Sequence, residues 1–261
     1  MLYIGEQVGS MQGPEVDVAV DPLEGTNIVA KGLDNAISVL AIAEKGQLLH
    51  APDMYMEKLA VGPALAGKVD INAPLEETLE IAATELRKNK RDLTVMLLDR
   101  ERHEPIVKTL RNVGVRIKFI TDGDVAGAIA PAMPESGIDL FVGSGGAPEG
   151  VLAAAALKCL GGELQGRLMP ANAAQYKRCV DMGMSDPYKV LTMDDMVGNK
   201  DVIFAATGVT SGSFLQGVRY LSDERAETHS LVMRAKTRTI RFIRTLHYLP
   251  NKQSLLSGAS R

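Results

Sequence analysis

From about residue 74 the hydrophobic pattern of this 261-residue chain switches repeatedly between a helical period and a strand period, which commits it to alternating strands and helices. Pro74 opens a predicted helix with Leu75, Leu79, Ala82 and Leu86 on one face. Residues 94–99 form a short apolar strand, and Ile106, Leu110 and Val113 mark a helix closed by Gly114. Val115, Ile117 and Phe119 then alternate with Arg116 and Lys118 as a strand. A small-residue helix at 125–133, a strand at 138–143, a helix at 148–160 and a strand at 202–206 follow, and 230–248 is strand-like again. This alternation implies an α/β fold with a parallel sheet covered by helices. Earlier in the chain, Val16, Val18 and Val20 alternate with Asp17, Ala19 and Asp21 as a half-buried strand that stops at Pro22. Residues 37–43, the Lys45-Gly46 turn and 47–61 read as a long hairpin. The softest boundary is the Gly, Ala and Pro-rich stretch at 63–74, so 1–73 is expected to be an α+β part and 74–261 an α/β part with a parallel or mixed sheet.

Composition excludes several classes. Hydrophobic residues at 46% supply enough apolar surface to fold, and no run approaches the ~18 apolar residues of a membrane span. A net charge of −3 carries no basic field for a nucleic acid, so Arg234, Lys236, Arg238, Arg241 and Arg244 read as a solvated sheet face. Cys159 and Cys179 fall in different predicted helices without a CxxC, as reduced packing residues of a cytoplasmic protein. The first residues lack the basic and apolar regions of a signal peptide. With no Trp and 4% aromatics, the core must be aliphatic and Met-rich.

In an open α/β sheet, ligands gather at the carboxyl ends of strands. Asp21-Pro22-Leu23-Glu24-Gly25-Thr26 is the sharpest signal there. A strand delivers Asp21 and the turn returns Glu24 beside it; two such carboxylates resist joint ionisation unless a hard divalent cation lies between them. Gly25 admits a phosphate to the backbone and Thr26 supplies a hydroxyl. In 143–150 the glycines end a strand, Pro148 suits a first helical turn and Glu149 follows; the helix start is a candidate phosphate site, or Glu149 merely complements the helix dipole. Asp122-Gly123-Asp124 reads a sugar diol or a metal, or else forms a turn and helix cap. Arg100-Glu101-Arg102 suits a phosphate, or is a solvated charge run; His103 reads as a helix-start residue and Tyr55 as a packed strand residue. Asp17 shares a strand face with Asp21 and reads as an ordinary exposed acid.

Taken together these stretches resemble the class II, GlpX-type fructose-1,6-bisphosphatases of the lithium-sensitive, metal-dependent sugar phosphatase superfamily. The matching stretches are Met-Leu-Tyr-Ile-Gly-Glu at 1–6, Val-Asp-Pro-Leu-Glu-Gly-Thr at 20–26, Ala-Pro-Asp-Met-Tyr-Met-Glu-Lys-Leu at 51–59, Arg-His at 102–103 and Asp-Gly-Asp-Val at 122–125. Gly-Gly-Ala-Pro-Glu-Gly-Val at 145–151, Ala-Thr-Gly-Val-Thr at 206–210 and Arg-Thr-Ile-Arg at 238–241 complete the set. The resemblance implies a layered α-β-α-β-α sandwich and a phosphoric monoester hydrolase that converts fructose 1,6-bisphosphate to fructose 6-phosphate in gluconeogenesis. By it, Asp21, Glu24 and Glu149 bind Mn²⁺ or Mg²⁺, and Thr26 helps activate the attacking water. Gly25, Thr26, Tyr55, Arg100, Glu101, Arg102, Asp122, Gly123, Asp124 and Gly146 would contact substrate. A homo-oligomer, dimer or tetramer, is expected.

This chain departs from the family at Arg100-Glu101-Arg102, where a stiffening proline usually separates two basic residues. The family also carries several tens of residues before the Met-Leu-Tyr-Ile-Gly-Glu stretch, including metal-binding acids. The expectation is therefore an N-terminally truncated form of weak activity, with exposed apolar surface or oligomer contacts. Three alternatives stay open: sedoheptulose-1,7-bisphosphatase activity, a non-catalytic sugar-phosphate-binding fragment, and an aspartyl-phosphate phosphatase with Asp122 as nucleophile.

Overall fold

The computed structural model describes residues 5–252. The opening four residues of the first matching stretch, Met1 to Ile4, lie outside the described residues. The described residues fold as a layered α/β sandwich with two six-stranded sheets. The first sheet takes β1 (Val16–Glu24), β2 (Ile37–Glu44), β9 (Val202–Gly208), β11 (Arg225–Arg234) and β10 (Arg219–Tyr220) in that order, with β12 (Thr239–Tyr248) also on β11. The second runs β5 (Arg116–Ile120), β4 (Thr94–Leu98), β6 (Leu140–Gly146), β3 (Tyr55–Val61), β7 (Glu163–Leu168) and β8 (Val190–Leu191).

Helices form where their end signals lie. Helix α2 (Leu75–Leu86) starts after Pro74 with Glu76 and Glu77 in its first turn, and α3 (Glu104–Val113) ends at Gly114. Both pack on one face of the second sheet, where Leu79, Ala82, Val107 and Leu110 bury against Leu59, Val95, Leu97 and Val142. Helix α5 (Ala147–Leu160) fills the space between the sheets, packing on β9, β2 and β1 from one side and on β7, β3 and β6 from the other. A helix covered all round needs no polar stripe, which explains the run Ala153–Ala156 at its centre. Helix α4 (Asp124–Ile129) lies against it. Met56, Met96, Met133, Met196, Met233 and Phe204 fill the shared core, as the scarcity of aromatics required.

Some expectations need correction. The strand β1 continues through Pro22 to Glu24, because a register irregularity between Asp21 and Glu24 absorbs the proline. The hairpin expected over 37–61 does not form: β2 pairs with β1 and β9, whereas β3 joins the second sheet between β6 and β7. Sheet membership consequently does not follow a boundary at 63–74, since the last strands of the chain complete the first sheet. The second sheet is mixed, one of the two forms expected: β5, β4 and β6 pair in parallel, whereas the β6–β3, β3–β7 and β7–β8 pairs are antiparallel. Finally, Val16, Val18 and Val20 face outward and are exposed, while Ala19 packs on the shared core. The period-two pattern is real, but the covered parity is the one carrying Asp21.

Other readings find their places. Asp17 caps the turn after β2, accepting from the Gly46 N–H at 2.6 Å. Arg234 pairs with Asp201 and Arg244 with Glu227, on opposite faces of the last strands. Cys159 and Cys179 are buried free thiols on α5 and on α6 (Ala173–Asp181). Among the described residues no helix is long and apolar enough to cross a membrane.

Candidate active site

Three chain segments deliver acids to one place. The first is the end of β1. The Leu23 N–H donates to Asp21 Oδ1 at 3.0 Å, folding the irregular stretch so that Asp21 is half-buried and Glu24 fully buried. Gly25 follows at φ 89°, a conformation that strains any L side chain, and starts the five-residue helix α1 (Thr26–Ala30). Thr26 is exposed at its first position.

The second segment follows β5. Asn27 of α1 donates from its backbone N–H and from Nδ2 to Asp122 Oδ2, at 3.3 and 3.1 Å. Gly123 adopts φ 86° and α4 begins at Asp124. The Val125 N–H donates to Glu24 Oε1 at 3.2 Å, so the start of α4 holds one oxygen of the first segment's acid. Asp124 is buried and ion-paired with the fully buried Lys58 of β3 at 2.5 Å. Neither aspartate caps the helix through its side chain.

The third segment is the glycine-rich end of β6. A Cβ on Gly145 would lie 1.7 Å from Asp124 Oδ2, and one on Gly146 would lie 1.9 Å from Glu149 Oε2. These glycines make room for two carboxylates. They do not open a phosphate cradle at the start of α5, as the sequence suggested. There the Ala147 N–H donates to the Met54 carbonyl at 2.8 Å, Pro148 has no N–H, and the Glu149 N–H bonds its own carboxylate.

The electrostatics tie the three segments together. Burial pushes the Glu24 carboxyl well above its ordinary range, and the Asp124, Asp21 and Asp122 charges push the same way. Glu149 is raised by burial and by the Asp124 and Asp21 charges, with Lys58 opposing. Asp21 and Glu149, from segments far apart in sequence, thus act on each other. Glu24 Oε2 and Glu149 Oε2 are buried without a hydrogen-bond partner. Orphaned oxygens in a crowd of like charge are what a hard divalent cation would relieve, so the donor set fits one. Among the described residues no group of three or more acids, His or Cys is already gathered at ligating distance.

Lys58, paired with Asp124, also lines a neighbouring cleft. Tyr55 at the start of β3 pairs in register with Gly146 and is 53% exposed, correcting the packed-residue reading. The Arg102 guanidinium lies 4.5 Å over its ring. Arg102 and His103 line an open cleft of about 350 Å³ together with Glu57, Lys58, Asp70 and Ser144. None of Asp21, Glu24, Asp122, Asp124 and Glu149 lines that cleft. Arg100 and Glu101 are not drawn in: Arg100 Nη1 donates to the Asp99 carbonyl at 2.8 Å, and Glu101 stands exposed.

Sequence reasoning missed Lys58, Asn27 and Ser144 altogether. Lys58 shares its strand parity with buried Met56 and Ala60, which was the available signal. Asn27 and Ser144 carried none, since their roles depend on partners about 95 and 42 residues away.

Known proteins are similar to this chain over most of its length. The family described as bacterial fructose-1,6-bisphosphatase, glpX-encoded, matches residues 1–247. A fructose-1,6-bisphosphatase class 2 of Haemophilus influenzae is 44% identical over 270 residues, covering 98% of this chain and 80% of that protein. A D-fructose 1,6-bisphosphatase class 2/sedoheptulose 1,7-bisphosphatase of Synechococcus sp. is 43% identical over 277 residues, covering 97% of this chain and 80% of its own length.

Proposed function

The chain belongs to the family of glpX-encoded bacterial fructose-1,6-bisphosphatases, and from that membership we propose how its own residues carry the reaction. It is a phosphoric monoester hydrolase that takes fructose 1,6-bisphosphate to fructose 6-phosphate and phosphate, and it depends on a divalent metal.

Asp21, Glu24 and Glu149 hold the cation, Mg²⁺ or Mn²⁺. The observation that carries this assignment is the pair of orphaned buried oxygens, Glu24 Oε2 and Glu149 Oε2, within one field of like charge. When bound, the cation supplies Lewis acidity and the positive charge that lets carboxylates and phosphoryl oxygens share the site. Thr26, exposed beside Glu24, orients the attacking water through its hydroxyl. Arg102, backed by Tyr55, grips the distal phosphate. Asp122 and Asp124 accept from sugar hydroxyls, and Gly25, Gly123 and Gly146 contact the substrate through their backbone. A gluconeogenic role, a cytoplasmic setting and a homo-oligomer go with this reading, supported by the family membership.

Phosphate release from fructose 1,6-bisphosphate with Mn²⁺ tests it. Chelator abolishes turnover, and Thr26→Ala lowers kcat about 100-fold, the scale of a lost proton-handling group. Equal rates in both proteins would remove Thr26 from the mechanism, and sugar-phosphate binding without turnover would make the chain a binding module. A second reading, sedoheptulose 1,7-bisphosphate as a further substrate, is favoured by the name of the Synechococcus relative. Comparable kcat/KM values for the two bisphosphates establish it.

A further inference from the structure

His103 is buried against the strand end that carries Ser144, and its ring is fully committed. Nδ1 lies 2.8 Å from the Leu98 carbonyl, which only accepts, so Nδ1 bears the proton. Nε2 is then a lone pair, and it accepts from the Ser144 backbone N–H at 2.9 Å, with Ser144 Oγ at 3.1 Å. The hydroxyl proton of Ser144 is thereby drawn toward the imidazole, leaving the oxygen's free lone pairs directed away. Those lone pairs, and the Ser144 carbonyl, receive Arg102: Nε donates to Oγ at 2.8 Å and Nη2 to the carbonyl at 2.7 Å. The guanidinium is gripped along one edge by two parallel bonds and covered on one face by Tyr55. An exposed arginine ordinarily samples many rotamers; this one is held in a single orientation at the mouth of a cleft.

We propose that His103 and Ser144 are positioning residues that set the Arg102 guanidinium in place for the substrate phosphate. The inference rests on the assignment of Arg102 to that phosphate. The neutral imidazole fixes the polarity of the Ser144 hydroxyl, and the hydroxyl with its own carbonyl fixes the arginine. The chain lacks a rigid residue between its two arginines, having Glu101 there, and this lock supplies the stiffness instead.

The test compares Arg102→Ala, Ser144→Ala, His103→Asn, His103→Gln and the double variant Arg102→Ala/Ser144→Ala in the full chain. KM and kcat for fructose 1,6-bisphosphate with Mn²⁺ are measured beside the calorimetric Kd for fructose 6-phosphate. Arg102→Ala raises KM and Kd about tenfold or more. Ser144→Ala raises both by about fivefold with kcat changed less than about twofold, the signature of lost uniform binding. The double variant is no worse than Arg102→Ala alone, because the serine acts only through the arginine. His103→Gln keeps an acceptor near the Nε2 position and stays close to the parent. His103→Asn keeps the donor to Leu98, loses that acceptor, and follows Ser144→Ala. An unchanged KM and Kd in Arg102→Ala overturns the phosphate assignment and the inference with it. A tenfold effect in Arg102→Ala beside unchanged constants in Ser144→Ala overturns the positioning role alone. A penalty from Ser144→Ala that adds in full to that of Arg102→Ala does so too, and this comparison stands even if a histidine variant fails to fold.

Discussion

At the scale of single residues, the site is organised by what its side chains cannot find. Glu24 and Glu149 each keep one buried oxygen without a partner, while Asp124 is satisfied by Lys58. An acid cluster with an internal lysine on one side and orphaned oxygens on the other is asymmetric, and the cation is expected on the orphaned side. His103 is the opposite case, a buried polar group with every atom bonded. Burial holds its pKa below the ordinary 6.5, and the Arg102 and Arg100 charges press the same way against the bonds to Leu98 and Ser144. Below the ordinary value the unfolded chain takes up a proton that the folded chain refuses. The stability tied to this group is therefore complete above pH 6.5 and is lost as pH falls from there through the lower folded value. Urea midpoints measured from about pH 8 to about pH 5 should fall on the acid side in the parent, and the His103→Gln curve should be flatter over that window.

At the scale of elements, the junction of β6 and α5 does the assembling. Its glycines were legible as a phosphate-type loop, and their positions at a strand end and helix start were correct. Their reason was not legible, because the carboxylates they accommodate come from Asp124, over twenty residues earlier, and from Glu149 folding back on its own helix. Gly145→Ala tests this. The added methyl overlaps the Asp124 carboxylate and must drive it off Lys58. Overpacking of this kind costs ~1–3 kcal/mol of stability, and kcat/KM is expected to fall at least about tenfold. A variant with parental kinetics would show that Asp124 need not occupy its present position. The helix behind the loop is set by its alanines, which allow both sheets to approach it.

At the scale of the whole molecule, two sheets share one helical layer, and the outer faces differ. The second sheet is covered by α2 and α3. On the first, Val16, Val18, Val20 and Ile203 stand exposed on the outer face. Thermal or urea denaturation distinguishes the two faces of this sheet. Val18→Thr, on the exposed face, should change stability by no more than about 0.5 kcal/mol. Val202→Thr, which buries a hydroxyl against α5, should cost ~1–3 kcal/mol. A comparable cost at Val18 would mean that its face is covered in solution.

Helix and strand alternation, helix ends at Gly114 and Gly161, and the acid and glycine motifs at strand ends were all determined by local order along the chain. Each depends on residues within a turn or two of one another, where period, proline and glycine act directly. Which face of β1 is covered, which sheet β3 joins, and why Gly145 and Gly146 must be glycines were decided by tertiary structure. Periodicity specifies that alternate residues share a face but not which face meets a partner. Lys58, Ser144 and His103 likewise acquire their roles from groups that only the packed sheets bring within hydrogen-bond reach.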